Sequence, residues 1–299
     1  VDGVRAVLGP DSELAADLRS PLLAAEPQYA GQPIAALAAD TADAAAEGLR
    51  ALALEVEALP HVVDPDEALR EQRFTRDPAE DGRGDVDEAM ASADVRVELQ
   101  GETPAHLQSP LEPHAAVVAW EGDGLTAWIS TQGMFAARDE LAGLYGLPKD
   151  RVRVVAEYIG GGFGAKQGAG TEAILAAELS RLTGRPVRLA NDRHAEQLDG
   201  GRRAWTRQTV RLGARRDGTL TAVEADALIS MGQGGWVFPV LVPALTLYRC
   251  DAVRAMSFPL KTNLRAQNAF RAPGVVEARA QVRDKDGGDG LDAIGAGDQ

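Results

Sequence analysis

The sequence predicts an α+β fold with mixed sheets, because hairpin signals and crossover helices occur in the same stretch of chain. Residues 115–120 and 125–130 are apolar segments joined by Glu-Gly-Asp-Gly, a run that suits a tight turn between antiparallel strands. Residues 209–214 and 220–229 flank Arg-Arg-Asp-Gly in the same way. Between these two hairpins, helix patterns alternate with strand patterns, which is typical of sheets that are partly parallel.

The first 60 residues predict a strand, a helix and a second strand. Residues 34–39 form an apolar run, and Asp40 or Thr41 can cap the alanine-rich helix that extends to about residue 52. Residues 54–58 then alternate apolar side chains with glutamates, which indicates a half-buried strand.

Two further helices are recognisable by the residues that end them. A glycine just after the last helical residue suits a left-handed C-cap, and a proline soon afterwards prevents continuation. An apolar segment after each helix predicts a strand. The elements are a helix over 135–145 ended by Gly146 and Pro148, a strand over 152–159, a helix over 171–182 ended by Gly184 and Pro186, and a strand over 187–190.

The chain divides into two predicted domains joined by a linker. Residues 66–87 are dense in Asp, Glu, Arg and Gly, so they bury too little apolar surface to order strongly. We therefore expect a first domain over 1–72, a linker over 73–91 and a second domain over 92–282. Residues 283–299 are mostly Gly, Asp and Ala without periodicity, and we expect this tail to be disordered or foreign to the fold.

The composition argues against nucleic-acid and membrane partners. Asp and Glu number 45 against 31 Lys and Arg, and the resulting net charge of -14 repels phosphate backbones and anionic lipids. No stretch approaches the roughly 20 apolar residues of a membrane helix, and no signal peptide is recognisable. The single cysteine, Cys250, excludes an internal disulfide and cannot alone hold zinc or an iron–sulfur cluster, so a cytoplasmic location is expected.

The most informative segment is the octet Gly-Gly-Gly-Phe-Gly-Ala-Lys-Gln at 160–167, which we call the glycine loop. Its glycines let backbone N–H groups approach a ligand closely, and the following helix N-terminus favours anionic groups. A phosphate-binding P-loop is excluded, because Ala165 precedes Lys166 and Gln167 follows it, where glycine and a hydroxyl are needed. A dinucleotide fingerprint is a formal match that lacks the acidic partner about 20 residues further on.

The alternative to a binding loop is an ordinary turn between strand and helix, and spacing alone leaves both open. Phe163 favours the binding loop, because a phenylalanine among four glycines is unusual in a connector. Its ring is expected to be buried against something that the bare backbone leaves open.

Three further motifs accompany the glycine loop in a fixed order: Leu111-Glu112-Pro113-His114, Ser130-Thr131-Gln132 and Ala269-Phe270-Arg271-Ala272-Pro273-Gly274. Together with the loop, this series resembles the molybdenum-cofactor-binding subunit of the molybdenum hydroxylases, the xanthine dehydrogenase and aldehyde oxidase family. Residues 32–36 and 59–65 are similar to the α/β hammerhead domain of that family. The resemblance, over residues 1 to about 280, implies a hammerhead-like domain over 1–72 and the first molybdopterin-binding domain over 92–282.

The resemblance implies a cofactor site around Gln132 and the glycine loop. Gln132 matches a glutamine whose side-chain amide hydrogen-bonds an oxygen ligand of molybdenum, although it could also cap a strand end. Phe163 with Gly161, Gly162 and Gly164 matches the loop that lies over the molybdenum centre and contacts the cofactor through backbone N–H groups. None of these side chains is expected to ligate the metal directly.

Three residues outside the glycines complete the implied site. Arg271 matches an arginine near the metal pocket that can stabilise developing negative charge, and its alternative is an ion pair with a surface carboxylate. Gln167 and Pro273 are expected in the substrate pocket. Gln167 stands where xanthine-oxidising members carry a glutamate, which argues against purine specificity. His114 is expected to be a structural hydrogen-bonding group, because a lone imidazole has no second ligand to share a metal.

The resemblance also implies molybdopterin in its cytosine dinucleotide form, an iron–sulfur subunit with 2Fe-2S clusters, a flavin subunit with FAD, and hydroxylation of aldehydes or N-heterocycles. The general base of the family is a glutamate in a C-terminal region that this sequence lacks, so no catalytic side chain is predicted. The sequence also begins at Val1, and we expect an incomplete chain that is inactive alone. A non-catalytic remnant and an ordinary nucleotide-binding domain are the alternatives.

Overall fold

The computed structural model describes residues 1–14, 22–235, 240–274 and 281–282, and the predicted tail at 283–299 lies outside the described residues. The α+β fold with mixed sheets is confirmed. In chain order the elements are β1 Val4–Leu8, β2 Ala36–Ala39, α1 Ala42–Ala51, α2 Pro65–Arg70, β3 Ala79–Arg83, α3 Val86–Ala91, β4 Val95–Thr103, β5 Ala115–Glu121, β6 Gly124–Ile129, α4 Met134–Tyr145, β7 Val152–Val155, α5 Gly170–Thr183, β8 Val187–Ala190, α6 Arg193–Asp199, β9 Thr206–Ala214, β10 Leu220–Gly232, α7 Val242–Thr246, β11 Ala252–Lys261 and β12 Gln281–Val282.

The chain forms two compact units, and each unit consists of two separate segments. The first unit comprises Val1–Pro60 and Leu107–Gly201, and the second comprises His61–His106 and Arg202–Gln299. These units differ from the sequence-continuous domains predicted over 1–72 and 92–282. The reason is strand pairing: β3 and β4 pair with strands that follow residue 202, so early and late segments share one sheet.

The first unit is built around a four-stranded sheet in the order β7-β6-β5-β8. The predicted hairpin is confirmed, because β5 and β6 pair antiparallel and meet at Glu121 and Gly124. β6 pairs parallel with β7, which makes the sheet mixed. Helices α4 and α5 bury their apolar side chains against this sheet, with Leu141 fully buried in the shared core. The predicted strand over 152–159 ends earlier, at Val155.

A smaller sheet of β1 and β2 lies in the same unit. The two strands pair antiparallel, and Leu8 packs with Leu175 and Leu179 of α5. Thr41 caps α1, because its side chain accepts a hydrogen bond from the N–H of Ala44. The strand predicted over 54–58 is wrong: residues 52–64 form neither helix nor strand, and Val56 is 78% exposed. Alternation of apolar side chains does not make a strand without a neighbour that accepts its backbone hydrogen bonds.

The second unit contains a six-stranded sheet in the order β12-β4-β9-β10-β11-β3. The predicted β9–β10 hairpin is confirmed, and β10 pairs parallel with β11. The structure corrects the prediction that residues 73–91 form a weakly ordered linker. This segment contains β3, whose five residues are all exposed but pair antiparallel with β11, and α3, which is capped by Asp85. Backbone hydrogen bonds order this segment despite its polar composition.

No helix in the described parts of the chain is long and apolar enough to cross a membrane.

The core of the first unit predicts that replacing two leucines by alanine has very different effects on stability. Leu141 is fully buried, so Leu141→Ala should lower the free energy of unfolding by about 2–5 kcal/mol. Leu54 is 58% exposed in the same unit, and Leu54→Ala should change it by less than about 0.5 kcal/mol. Urea denaturation followed by circular dichroism measures both, and equal losses would contradict the packing described above.

The end of α4 predicts that substitution of glycine by alanine has opposite effects on stability at two neighbouring positions. Gly146 has a φ of 63° and is the left-handed C-cap expected from the sequence, whereas Gly143 lies inside the helix. An added Cβ meets nothing within 4 Å at either position, so only the backbone decides. Gly146→Ala should destabilise the protein by about 1–2 kcal/mol. Gly143→Ala should stabilise it by about 0.5–1 kcal/mol. Thermal unfolding of both variants gives the two signs, and a shared sign would contradict the assignment of the cap.

Candidate functional site

The glycine loop adopts a conformation that few side chains tolerate. Gly161 has a φ of 94° and Gly164 a φ of 102°, both in the region that favours glycine. Phe163 between them has a φ of 54°, which is uncommon for a residue with a side chain. The loop therefore keeps one phenylalanine in a left-handed conformation and depends on glycines on both sides of it.

Two glycines of the loop are required by close approach. A Cβ at Gly160 would lie 2.4 Å from the Cβ of Glu112, and a Cβ at Gly162 would lie 2.4 Å from Oε1 of Gln132. Real side chains never approach so closely, so a Cβ at Gly160 would push the loop away from Glu112, and a Cβ at Gly162 would displace the side chain of Gln132. The loop and the two motifs before it are thus brought together as the sequence predicts.

The backbone N–H groups of the loop fall into two sets. Gly160 donates to Oε2 of Glu112 at 2.5 Å, and Gly164 donates to Oε1 of Gln132 at 2.8 Å. The N–H groups of Gly161, Gly162 and Phe163 have no hydrogen-bond partner among the described residues. Consecutive free N–H groups next to a left-handed residue form a concave donor site for negatively charged or oxygen-rich groups.

Gln132 follows the end of β6 and presents one type of hydrogen-bonding group outward. Its Oε1 accepts from Gly164, which assigns the orientation of the amide, since an N–H group needs an acceptor opposite it. The exposed Nε2 group is left as a donor that has no partner in the described part of the chain. The backbone N–H of Gln132 also joins the strand end to the loop, because it donates to the carbonyl of Lys166 at 2.8 Å.

Phe163 and Gln167 are both exposed. The Phe163 ring is 43% exposed and lies beside Gly161, where an added Cβ would be 3.1 Å from two ring carbons. The expectation that this ring is buried is therefore wrong. Gln167 is exposed at the other end of the loop.

A buried charged group under the loop was missed by the sequence analysis. The side chain of Lys166 is fully buried, and its Nζ donates to the backbone carbonyl of Glu112 and to Oγ of Ser130, each at 2.6 Å. Nζ also lies 3.5 Å from Oε2 of Glu112. Burial lowers the pKa of Lys166 below its ordinary value, against the opposing effect of Glu112. The three residues lie within motifs that the sequence does display, but only the fold reveals that the lysine is buried.

Glu112 stays ionised in this arrangement. Burial raises the pKa of its carboxyl, but hydrogen bonds from the Gly160 N–H and the Ser130 hydroxyl, together with the charge of Lys166, outweigh burial. Its net pKa therefore lies below the ordinary value.

His114 is the structural hydrogen-bonding group expected from the sequence. Its Nδ1 lies 3.0 Å from both carboxylate oxygens of Glu196, and its backbone N–H donates to Oε2 of Glu196 at 2.8 Å. Burial lowers the pKa of His114, but the hydrogen bond to Glu196 and the charges of Glu172 and Glu196 outweigh it, so the net pKa is raised. The imidazole thus anchors α6 to the start of β5.

Arg271 and Pro273 belong to the second unit. Arg271 is exposed, has a φ of 20° and forms no ion pair with a described carboxylate, so nothing described favours its alternative as a surface ion pair. Arg203 donates to the carbonyls of Phe270 and Arg271, and its guanidinium lies 4.8 Å from the centre of the Phe270 ring. A buried arginine therefore holds the backbone that carries Arg271. Pro273 is half-buried beside it.

Protein side chains do not form a metal site in the parts of the chain that the structure describes. No group of three or more His, Cys, Asp or Glu side chains is placed to hold a metal ion there.

Comparison with known proteins identifies the family. Residues 69–282 match the family model described as the molybdopterin cofactor-binding domain. The chain is 34% identical over 209 residues to the aldehyde oxidoreductase molybdenum-binding subunit PaoC of Escherichia coli strain K12, covering 68% of this chain and 28% of that protein. It is 30% identical over 265 residues to the nicotinate dehydrogenase large molybdopterin subunit of Eubacterium barkeri, covering 83% and 61%. The chain thus spans less than two thirds of either relative.

Solved structures agree with this assignment. Quinoline 2-oxidoreductase from Pseudomonas putida 86 superimposes with a TM-score of 0.82 at 24% identity, covering 92% of this chain and 39% of that one. The aldehyde oxidoreductase from Desulfovibrio gigas gives a TM-score of 0.76 at 25% identity, covering 91% and 33%. The chain therefore belongs to the molybdopterin cofactor-binding domain family.

Proposed function

We propose that this chain binds a molybdenum-bearing pterin through the glycine loop and Gln132, as part of a hydroxylase that acts on aldehydes or N-heterocycles. The observation that carries the proposal is the donor set. Three consecutive free N–H groups, at Gly161, Gly162 and Phe163, lie beside the free amide donor of Gln132. Donors without internal acceptors suit a ligand that is rich in acceptor oxygens and negative charge.

The residues present fit a metal that arrives with its own ligands. The described side chains form no metal-binding cluster, and Gln132 offers a hydrogen-bond donor instead of a ligand atom. Such a donor would bind an oxygen atom on the metal without replacing a ligand of the cofactor. In this proposal Gln132, Phe163 and Arg271 surround the molybdenum and do not ligate it.

Bound cofactor would supply the oxidation–reduction chemistry that adds water-derived oxygen to the substrate. The residues of this chain would bind and orient. The loop N–H groups and Gln132 would fix the cofactor, and Arg271 would stabilise negative charge near the substrate. Gln167 and Pro273 would line the substrate pocket. We propose no catalytic base within this chain.

The finer assignments rest on the relatives. Because both curated relatives are named as molybdenum or molybdopterin subunits, we propose partner subunits that carry 2Fe-2S clusters and FAD. We also propose the cytosine dinucleotide form of the cofactor and a cytoplasmic location. The order β1, β2, α1 supports a hammerhead-like domain over 1–72, and the family match over 69–282 supports a cofactor-binding domain over 92–282.

The proposal predicts that the chain, expressed with cofactor-synthesis enzymes, is purified with about one molybdenum and one pterin per chain. Elemental analysis measures the metal, fluorescence of the oxidised pterin measures the organic part, and acid hydrolysis should release cytidine monophosphate. Protein free of both metal and pterin would contradict the proposal and favour the non-catalytic alternative. Tight adenine-nucleotide binding in titration calorimetry would instead favour a nucleotide-binding domain.

Gln132→Glu tests the donor separately from the loop contact. The carboxylate can still accept from Gly164, but it offers no N–H group and places a negative charge beside the free donors. Bound molybdenum should fall at least about tenfold, the loss expected when a group that orients a metal site is removed. Gln197→Glu is the matched control, because Gln197 is half-buried on α6 and its Nε2 donates to Oγ of Ser109, not to a group of the glycine loop. Equal metal contents in the two variants would exclude Gln132 from the site.

A further inference from the structure

Both ends of the glycine loop are attached to one residue, Glu112. At the start of the loop, the Glu112 backbone N–H donates to the carbonyl of Gly160 at 3.2 Å, and its carboxylate accepts from the N–H of Gly160 at 2.5 Å. At the other end, Nζ of Lys166 donates to the backbone carbonyl of Glu112 at 2.6 Å. The free N–H groups of the loop lie between these two attachments.

Ser130 connects the two attachments. Its hydroxyl donates to Oε2 of Glu112 at 3.0 Å and accepts from Nζ of Lys166 at 2.6 Å. Ser130 is buried at the end of β6, so the group is fixed to the sheet. We call Glu112, Ser130 and Lys166 the loop clamp.

We propose that the loop clamp holds the glycine loop in the conformation that leaves the N–H groups of Gly161, Gly162 and Phe163 free, so that Glu112 and Lys166 are positioning residues for cofactor binding. The inference rests on the proposed function and adds residues to it that do not themselves touch the cofactor.

The loop clamp restricts a segment that would otherwise be flexible. A segment with four glycines has high conformational entropy when unattached, and free N–H groups would otherwise find acceptors within the loop. A fully buried lysine is costly unless it is paired and hydrogen-bonded. Here the buried lysine is hydrogen-bonded to Glu112 and Ser130, which offsets part of that cost. An apolar residue could pack in the same place but could not make these hydrogen bonds.

Hydrogen exchange of the cofactor-free chain tests the clamp, with Lys166→Met as the main variant. Methionine keeps most of the side-chain length and removes the ammonium. The bonded amides of Gly160, Gly164 and Ala165 should exchange at least about tenfold faster, while amides inside α4 and α5 keep their rates. Lys149→Met is the control, because Lys149 is 62% exposed and, among the described residues, its Nζ is hydrogen-bonded only to the Asp139 carboxylate. Unchanged exchange in the loop of Lys166→Met would overturn the proposal.

A purely structural role for Lys166 predicts a different pattern. If the lysine only stabilised the fold, exchange would rise equally in the loop, α4 and α5, and that outcome would also overturn the proposal.

Glu112→Gln is a milder variant, since it keeps an acceptor for Gly160 and removes the charge. The double variant Glu112→Gln with Lys166→Met should protect the loop amides better than Lys166→Met alone, because it leaves no unpaired charge at the site. Protection no better than in the single variant would contradict charge pairing within the clamp.

The cofactor gives a second readout that separates this inference from the proposed function. If the wild-type chain binds molybdenum, Lys166→Met should lower the bound metal at least fivefold while Lys149→Met leaves it unchanged, and equal metal in both would overturn the positioning role. If the wild-type chain binds no molybdenum, the proposed function is wrong, and the proposed role of the clamp in cofactor binding is wrong as well. The exchange measurement still decides whether the clamp sets the loop conformation.

Discussion

The candidate site depends on the close approach of bare backbone to two side chains. Gly160 lies against Glu112 and Gly162 lies against Gln132, at distances that leave no space for a Cβ. This approach lets the Glu112 carboxylate and the Gln132 amide accept from loop N–H groups. The N–H groups between them have no acceptor in the described chain, so the same geometry that builds the loop creates the donor site.

Buried polar groups support this arrangement from within the first unit. Lys166 and Glu112 form one hydrogen-bonded group and His114 and Glu196 form another, close to the same loop. Each charge has an oppositely charged partner, which limits the cost of removing it from water. Burial lowers the pKa of Lys166, whereas the carboxylates raise the pKa of His114. For Lys166 the effect of burial outweighs that of the nearby carboxylates, whereas for His114 the hydrogen bond to Glu196 and the nearby charges outweigh burial.

The second unit uses a similar device with different chemistry. Arg203 is buried, and its guanidinium donates to the backbone carbonyls of Phe270 and Arg271. Arg271 and Ala272 adopt positive φ values without being glycines, a conformation that needs support from surrounding groups. In both units, then, a long basic side chain that is itself buried fixes a backbone segment whose exposed groups are the functional candidates.

The sequence by itself determined the elements whose signals are local. The turns of the two hairpins, the C-cap at Gly146 and the motif series all depend on residues close together in the chain, and the series was specific enough to indicate the family.

Tertiary structure alone decided which distant segments pair and which side chains are buried. The alternating residues 54–58 found no partner strand, whereas the polar residues of β3 found one in β11. The burial of Lys166 is not evident from the sequence, because its Nζ contacts Glu112 and Ser130, which are distant along the chain. Backbone pairing and burial are properties of neighbours in space, and for these residues the neighbours lie tens of positions away or more along the chain.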